Sequence, residues 1–198
     1  LALFHSDAES ASDEMVKAAV KEANLMIYGT TQIDHMLALI KQFVKDPKIV
    51  EGFKKSPAAV HNHHAYLGGL LEHTLSVLVL ATRILGKADD SDSQYPEISR
   101  DLVLAGVFLH DIGKAAELTY DTNFTYSNAG QLVGHIVQAA IWIDQKVAEV
   151  EQETKQPFPA DLQNLLTHIV LAHHGTYEFG SPKLPSCPEA VIVHYLDN

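Results

Sequence analysis

The sequence predicts an all-α fold, a helical bundle with room for one small β-hairpin. Three observations predict it: apolar residues recur at helical spacing along most of the chain, Pro and Gly interrupt that pattern at intervals, and no extended alternation marks a sheet. Between Ala11 and Tyr28, Met15, Ala18, Ala19, Leu25 and Met26 lie on one helical face. A second helix starts at Thr31 and carries Ile33, Met36, Leu37, Ile40 and Phe43, and Asp46-Pro47 breaks it. Short helical pieces are expected from Pro47 to Lys55 and from Pro57 to Tyr66. Beyond Gly68-Gly69 an apolar helix runs from Leu70 to Leu85 and includes His73.

The polar, acidic stretch from Gly86 to Tyr95 is expected to be a loop, and Pro96 suits the first turn of a helix ending near Asp111. Leu118 to Tyr126 is the candidate hairpin, with turn formers at Asp121 to Asn123. Asn128 is placed to cap a long helix through Val150, and another helix spans Ala160 to His174. The Gly- and Pro-rich segment from Gly175 to Pro188 is a loop, followed by a last helix from Glu189.

With 198 residues, 46% of them hydrophobic, the chain can bury a core of its own. The single Cys187 excludes a disulfide framework and a Cys-rich zinc site. Any metal must therefore be held by His and carboxylates. Leu1 to Phe4 is too short an apolar run for a signal peptide, and the uncharged helical run Thr74 to Thr82 is too short to span a bilayer. These features lead to the expectation of a soluble, cytoplasmic domain without a membrane partner. A net charge of −11 repels nucleic acid over most of the surface, so a polyanion must be drawn in locally.

Twelve His and thirteen Asp make about one His-Asp pair expected by composition alone, so His110-Asp111 is informative only through its setting. The pair ends the apolar run Leu102 to Leu109, where two titratable groups are costly to bury without a partner. A cation would be such a partner, with Asp111 offering one oxygen to each of two ions and His110 a neutral nitrogen to one. An ordinary capped helix end is the alternative. His73 lies within Leu70, Leu71, Leu75, Val77 and Leu78, His135 within Leu132 to Ile136, and His173-His174 closes an apolar helix before Gly175. Asp197 completes the set.

The order His73, His110-Asp111 with Gly113-Lys114, His135, His173-His174, Asp197 resembles that of the HD superfamily of metal-dependent phosphohydrolases. The runs His64-Ala65-Tyr66-Leu67-Gly68-Gly69-Leu70-Leu71-Glu72-His73, His173-His174-Gly175 and Glu178 to Pro185 are similar to the HD domain of YhaM-type 3′-to-5′ exoribonucleases. The resemblance implies an HD domain over residues 56–198, preceded by N-terminal helices or a linker over 1–55. It implies a first metal set of His73, His110, Asp111 and Asp197. Asp111 would bridge to a second ion held by His135 and His173, with His174 as a less certain neighbour.

Imidazole and carboxylate ligands suit one or two ions of Mn, Fe, Co, Ni or Mg better than tetrahedral zinc. Such ions neutralise phosphate oxygens and activate water. Lys114, four residues after His110, shares its face if the helix persists past Gly113, and would add positive charge near a phosphate; a solvated lysine is the alternative.

Outside the motif, His64 is the best candidate among His61, His63 and His64 to line a substrate entrance. Tyr177, Phe179 and Lys183 follow His173-His174 on a loop, where an aromatic could stack on a base and a lysine meet a phosphate, or the aromatics could pack on the core. His168 lies about 140° round the helix from His173, so a core or supporting place is expected. His194, three residues before Asp197, could point the same way. His5 and His35 look incidental, and Lys45, Lys48, Lys54 and Lys55 form a basic cluster that is as easily a solvated face.

The implied activity is a phosphodiesterase acting from the 3′ end of single-stranded RNA or DNA. One alternative keeps the metal chemistry with a nucleotide, a cyclic dinucleotide or another small phosphate ester, and another is a non-catalytic regulatory HD module. In YhaM-type proteins an oligonucleotide-binding domain precedes the HD domain, and no such β-rich segment is present here, so a missing domain and an oligomer are both open.

Overall fold

A computed structural model describes residues 31–59, 66–86, 95, 98–119 and 125–198. The helix expected over 11–28, His5, the cluster His61, His63 and His64, Pro96 and the turn at 121–123 lie outside the described residues. The described chain forms α1 (Thr31–Lys45), α2 (Pro47–Lys55), α3 (Gly69–Leu85), α4 (Arg100–Leu109) and α5 (Lys114–Glu117). Strands β1 (Leu118–Thr119) and β2 (Thr125–Tyr126) follow, then α6 (Asn128–Leu132), α7 (His135–Thr154), α8 (Ala160–Ala172), a 3-10 turn (Tyr177–Phe179) and α9 (Pro188–Asp197). The all-α expectation holds. The hairpin is there too, reduced to two antiparallel pairs, Leu118 with Tyr126 and Thr119 with Thr125.

Helix α4 is the axis of the bundle. Leu102 to Val107 and Leu109 are all buried, so it is apolar all round, which a helix tolerates only when neighbours cover every side. Those neighbours are α3, α8, α9 and α1. In α1 the core-facing stripe is Ile33, Met36, Leu39, Ile40 and Phe43, the 3.6-residue period seen in the sequence. It packs on α7, which also lies along α8, so the helices of 31–55 share one core with the rest.

Three boundaries differ from expectation. Helix α4 begins at Arg100, because the Ser99 side chain accepts from the Leu102 amide and caps it there, displacing the start expected at Pro96. Residues 57–59 are not helical, so the piece expected over Pro57 to Tyr66 does not begin at Pro57. The long helix expected from Asn128 to Val150 is two helices. Ser127, not Asn128, caps α6 through the Gly130 amide, and Gly134 at φ 75° and ψ 159° breaks the run. That backbone conformation is open to glycine and strained for other residues. The break makes His135 the first residue of α7 and turns it towards the end of α4.

The α1–α2 corner is held by one carboxylate. Asp46 caps α2 by accepting from the Lys48 and Ile49 amides at 3.0 and 3.3 Å, and Pro47 occupies the first turn. Its other oxygen takes the buried Lys146 ammonium at 2.8 Å, which also reaches Glu149 at 2.9 Å. Among the described residues no helix is long and apolar enough to cross a membrane.

Replacing Asp46 by Ala should cost about 1–2 kcal/mol through the lost cap alone, and more through the weakened pairing of Lys146. The measurement is a lower urea midpoint with an unchanged m-value. The hydrogen bond from Lys146 holds the Asp46 carboxyl below its ordinary 3.8. Its contribution is therefore complete above pH 3.8 and is lost as pH falls through the lower folded value, so wild type and Asp46→Ala should converge in strong acid.

Candidate metal centre

The end of α4 delivers two titratable side chains into the core. His110 is the C-cap of α4 and Asp111 follows it in the turn, and both are essentially inaccessible to solvent. Helix α3 brings His73, the final turn of α9 brings Asp197, the first residue of α7 is His135, and the end of α8 brings His173 and His174. The seven candidate ligands named from the sequence converge on one place.

Two groups share Asp111. In the first, one ligand atom each from His73, His110, Asp111 and Asp197 lies within 4.8 Å of the others. His73 Nε2 is 2.9 Å and His110 Nε2 3.2 Å from Asp197 Oδ1, and the two imidazole nitrogens are 3.2 Å apart. Asp111 Oδ2 lies 3.4 Å from His110 Nε2 and 3.6 Å from His73 Nε2. The second group is His135, His173 and His174 under the same 4.8 Å limit. There Asp111 Oδ1 is 3.4 Å from His135 Nε2 and 3.6 Å from His173 Nε2. One carboxylate thus turns an oxygen to each group.

The hydrogen bonds at the far side of each ring fix what faces the centre. Nδ1 of His110 donates to the Val107 carbonyl at 2.6 Å, and Nδ1 of His173 to that of Val170 at 2.7 Å. His174 Nδ1 donates to the Phe179 carbonyl at 2.7 Å and His135 Nδ1 to Glu117 Oε1 at 3.0 Å. With Nδ1 carrying the proton, a neutral imidazole presents a lone pair at Nε2. Asp111 Oδ1, His135 Nε2 and His173 Nε2 are buried and make no hydrogen bond, so three acceptors face one another. Leaving such groups unmatched is costly, and a cation is the partner that matches all three at once. The donor set fits a divalent metal.

Electrostatics divide the groups. Burial alone would lower the His110 pKa, but the Asp111 and Asp197 carboxylates overcome it and hold it at about 10. Burial opposes ionisation of those carboxylates as well, yet Asp111 stays well below the usual range against Lys114 and His110, and Asp197 against His110 and His73. On the other side burial dominates and takes His173 down to about 4, leaving it neutral at physiological pH; it lowers His174 too. The negative potential that keeps a proton on His110 favours any cation placed there.

Lys114 is nearer than helical spacing required. The helix does not persist: 110–113 form a turn before α5, and the Lys114 ammonium reaches Asp111 Oδ2 at 2.6 Å. It is the counter-charge of Asp111 and shares the oxygen that faces the first group. Gly113 permits this turn, because a Cβ there would fall 2.0 Å from the His135 carbonyl oxygen.

The remaining candidates separate. Tyr177 and Phe179 are each 66% exposed, so they do not pack on the core. Their loop is fixed from beneath, with the Ser181 hydroxyl 3.0 Å from the Leu171 carbonyl and 2.7 Å from that of Lys183. Lys183 is exposed. His168 is neither core nor support for the centre; its Nε2 accepts from the Ser186 amide at 2.9 Å. His194 points to the centre indirectly, its Nδ1 donating to the His173 carbonyl at 2.8 Å. His35 meets the Phe158 ring edge-on, and in the basic cluster Lys45 pairs with Glu153 and Lys55 with Glu51. Sequence reasoning missed Glu117. A lone carboxylate between Ala115-Ala116 and Leu118 was a signal, since a charge in apolar surroundings needs a partner.

Helices that present paired His and Asp to a buried, metal-fitted centre define a class, and the family model for the HD domain matches residues 70–198. The chain belongs to the HD domain family. Among curated proteins it is similar to the 3′-5′ exoribonuclease YhaM of Bacillus velezensis, 35% identical over 192 residues that make up 94% of this chain and 56% of that one. The 3′-5′ exoribonuclease YhaM of Bacillus licheniformis is 39% identical over 160 residues, 81% of this chain and 45% of the relative. The chain spans about half the length of these relatives. No solved structure matches it at a significant level.

Substituting Gly113 by Ala should drive α7 away from the turn, costing about 1–3 kcal/mol of stability by overpacking. Thermal denaturation would show it, and a variant as stable as wild type would mean that α7 yields at no cost.

Proposed function

We propose that this chain is a metal-dependent phosphodiesterase domain that removes nucleotides from the 3′ end of single-stranded RNA or DNA. The observation that carries the chemistry is the trio of buried acceptors, Asp111 Oδ1, His135 Nε2 and His173 Nε2, converging without a hydrogen bond between them. The likeness to the exoribonucleases supports the substrate. The reading assigns His73, His110, Asp111 and Asp197 to one ion and His135, His173 and His174 to a second, with Asp111 bridging. Bound ions of Mn, Fe, Co, Ni or Mg would supply Lewis acidity and an activated water.

The chain's own groups do the rest. Asp111 holds both halves of the centre in register. Lys114 carries the positive charge closest to it and would balance a phosphate oxygen. Tyr177, exposed on the loop that follows His174, would stack the terminal base, Lys183 would meet a flanking phosphate, and His64 would line the entrance. A reducing, cytoplasmic setting suits the lone Cys187.

A second reading, hydrolysis of a nucleotide or other small phosphate ester, is favoured by the net charge of −11. That surface offers a long strand little counterion release, so an oligonucleotide-binding domain or another subunit would have to supply the basic groove.

Three outcomes are expected. Mn²⁺ at a hundred times its dissociation constant should stabilise the fold by about 2.7 kcal/mol, a rise in Tm of roughly 5–10 °C for a chain this long; no shift would argue against a metal centre. Asp111→Ala should abolish release of 3′-labelled nucleotide while the far-UV circular dichroism stays helical, and retained turnover would defeat the mechanism. With Mn²⁺, this chain should turn over a short 3′-labelled RNA faster than a long one, and chelator should stop both. Processive decay of the long strand would overturn the reading of the acidic surface, and hydrolysis of mononucleotide esters alone would overturn the substrate.

A further inference from the structure

The imidazoles of the centre are held from behind in two ways. His110, His173 and His174 each lean on a backbone carbonyl, which is neutral and belongs to the fold itself. His135 leans on a side chain. Glu117 Oε1 accepts the ring Nδ1–H at 3.0 Å and also the His135 backbone amide at 3.0 Å. Because His135 is the first residue of α7, the same oxygen closes the helix terminus and sets the ring.

Glu117 is held as firmly as its target. Its carbonyl accepts the Ser127 amide at 2.8 Å across the base of the hairpin. Gly130 lies so close that a Cβ there would be 2.2 Å from the same carbonyl oxygen. The side chain is buried and, among the described residues, touches no other candidate ligand at hydrogen-bond distance. A carboxylate behind an imidazole fixes the tautomer with the lone pair forward and increases its basicity, effects that a neutral carbonyl gives only in part.

We propose that Glu117 is a positioning residue that acts through His135 and sets the affinity of the centre for its second cation, the one facing Asp111 Oδ1, His135, His173 and His174. The proposal rests on the two-cation reading above. It separates the ions by their supports: among the described residues the Glu117 side chain hydrogen-bonds to His135 of the second group and to none of His73, His110 or Asp197.

The test compares wild type with Glu117→Gln and Glu117→Ala in the full 198-residue chain, using Mn²⁺ alone as the probe. Calorimetric titration should resolve two binding events in wild type. Glu117→Ala should weaken the second by about 10–100-fold and leave the first unchanged. The Gln amide oxygen can still accept from both His135 donors, so Glu117→Gln should keep the helix terminus and show a smaller loss. Nitrogen-15 NMR of the metal-free protein gives a readout without activity or metal: His135 should be protonated at Nδ1 in wild type and Glu117→Gln, and shift towards Nε2 in Glu117→Ala.

Unchanged second affinity in Glu117→Ala overturns the proposal and leaves the two-cation reading standing. A wild-type chain that takes up only one ion overturns both. Equal weakening of the two events also overturns it, since that is what a general loosening of the fold would give. If Glu117→Ala does not fold, Glu117→Gln decides: selective weakening of the second event supports the proposal, and no change overturns it.

Discussion

A buried carboxylate with too few partners governs this molecule. Asp111 sits at the end of an apolar helix, is almost wholly removed from water, and stays ionised because Lys114 and His110 stand against it. A lone charge in that position would be prohibitive, so the surrounding elements must deliver compensating groups to within a few ångströms. The bundle arranges this by bringing helix ends, rather than helix middles, to one point: the end of α4, the start of α7, the end of α8 and the last turn of α9. Only His73 comes from within a helix, on α3.

The use of helix ends explains how the rings are aimed. At the end of a helix the carbonyls three residues back lack amide partners, and His110 and His173 each take one through Nδ1. The helix thereby satisfies its own orphan acceptor and turns Nε2 outward to the centre. At the start of α7 the free groups are amides instead, so a carbonyl anchor is not at hand and a side-chain acceptor has to come from elsewhere in the chain. The polarity of the helix decides which kind of support each histidine can have.

Much of this was legible in the sequence. The apolar period gave α1, α3 and α8 close to their ends, and His110-Asp111 stood out because it closes an apolar run. The spacing of His73, His135, His173-His174 and Asp197 marked a set that the fold does bring together. What escaped depended on competition or on tertiary reach. Pro96 and Ser99 both qualify as helix starts, and only the hydroxyl's bond to the Leu102 amide separates them. Apolar spacing continues from Leu132 to Ile136 across Gly134, so the break there left no periodic trace. Lys114 was sought beside His110 by helical spacing, whereas the turn sends it to Asp111. Glu117 meets His135 only because the hairpin folds back between them, which no local pattern encodes.

The separation of these residues along the chain has a kinetic consequence. His73 touches Asp197, contributed by the last helix of the bundle, and His110 touches it as well. Contacts between such distant segments carry the largest loop-closure cost and are among the slowest to be gained as a chain folds. A nascent or partly collapsed chain can hold α3 packed on α4 and still lack the arrangement, because α9 has not docked. The centre is thus a reporter of complete folding: local helices form without it, and it comes into being only with the long-range closure of the whole bundle.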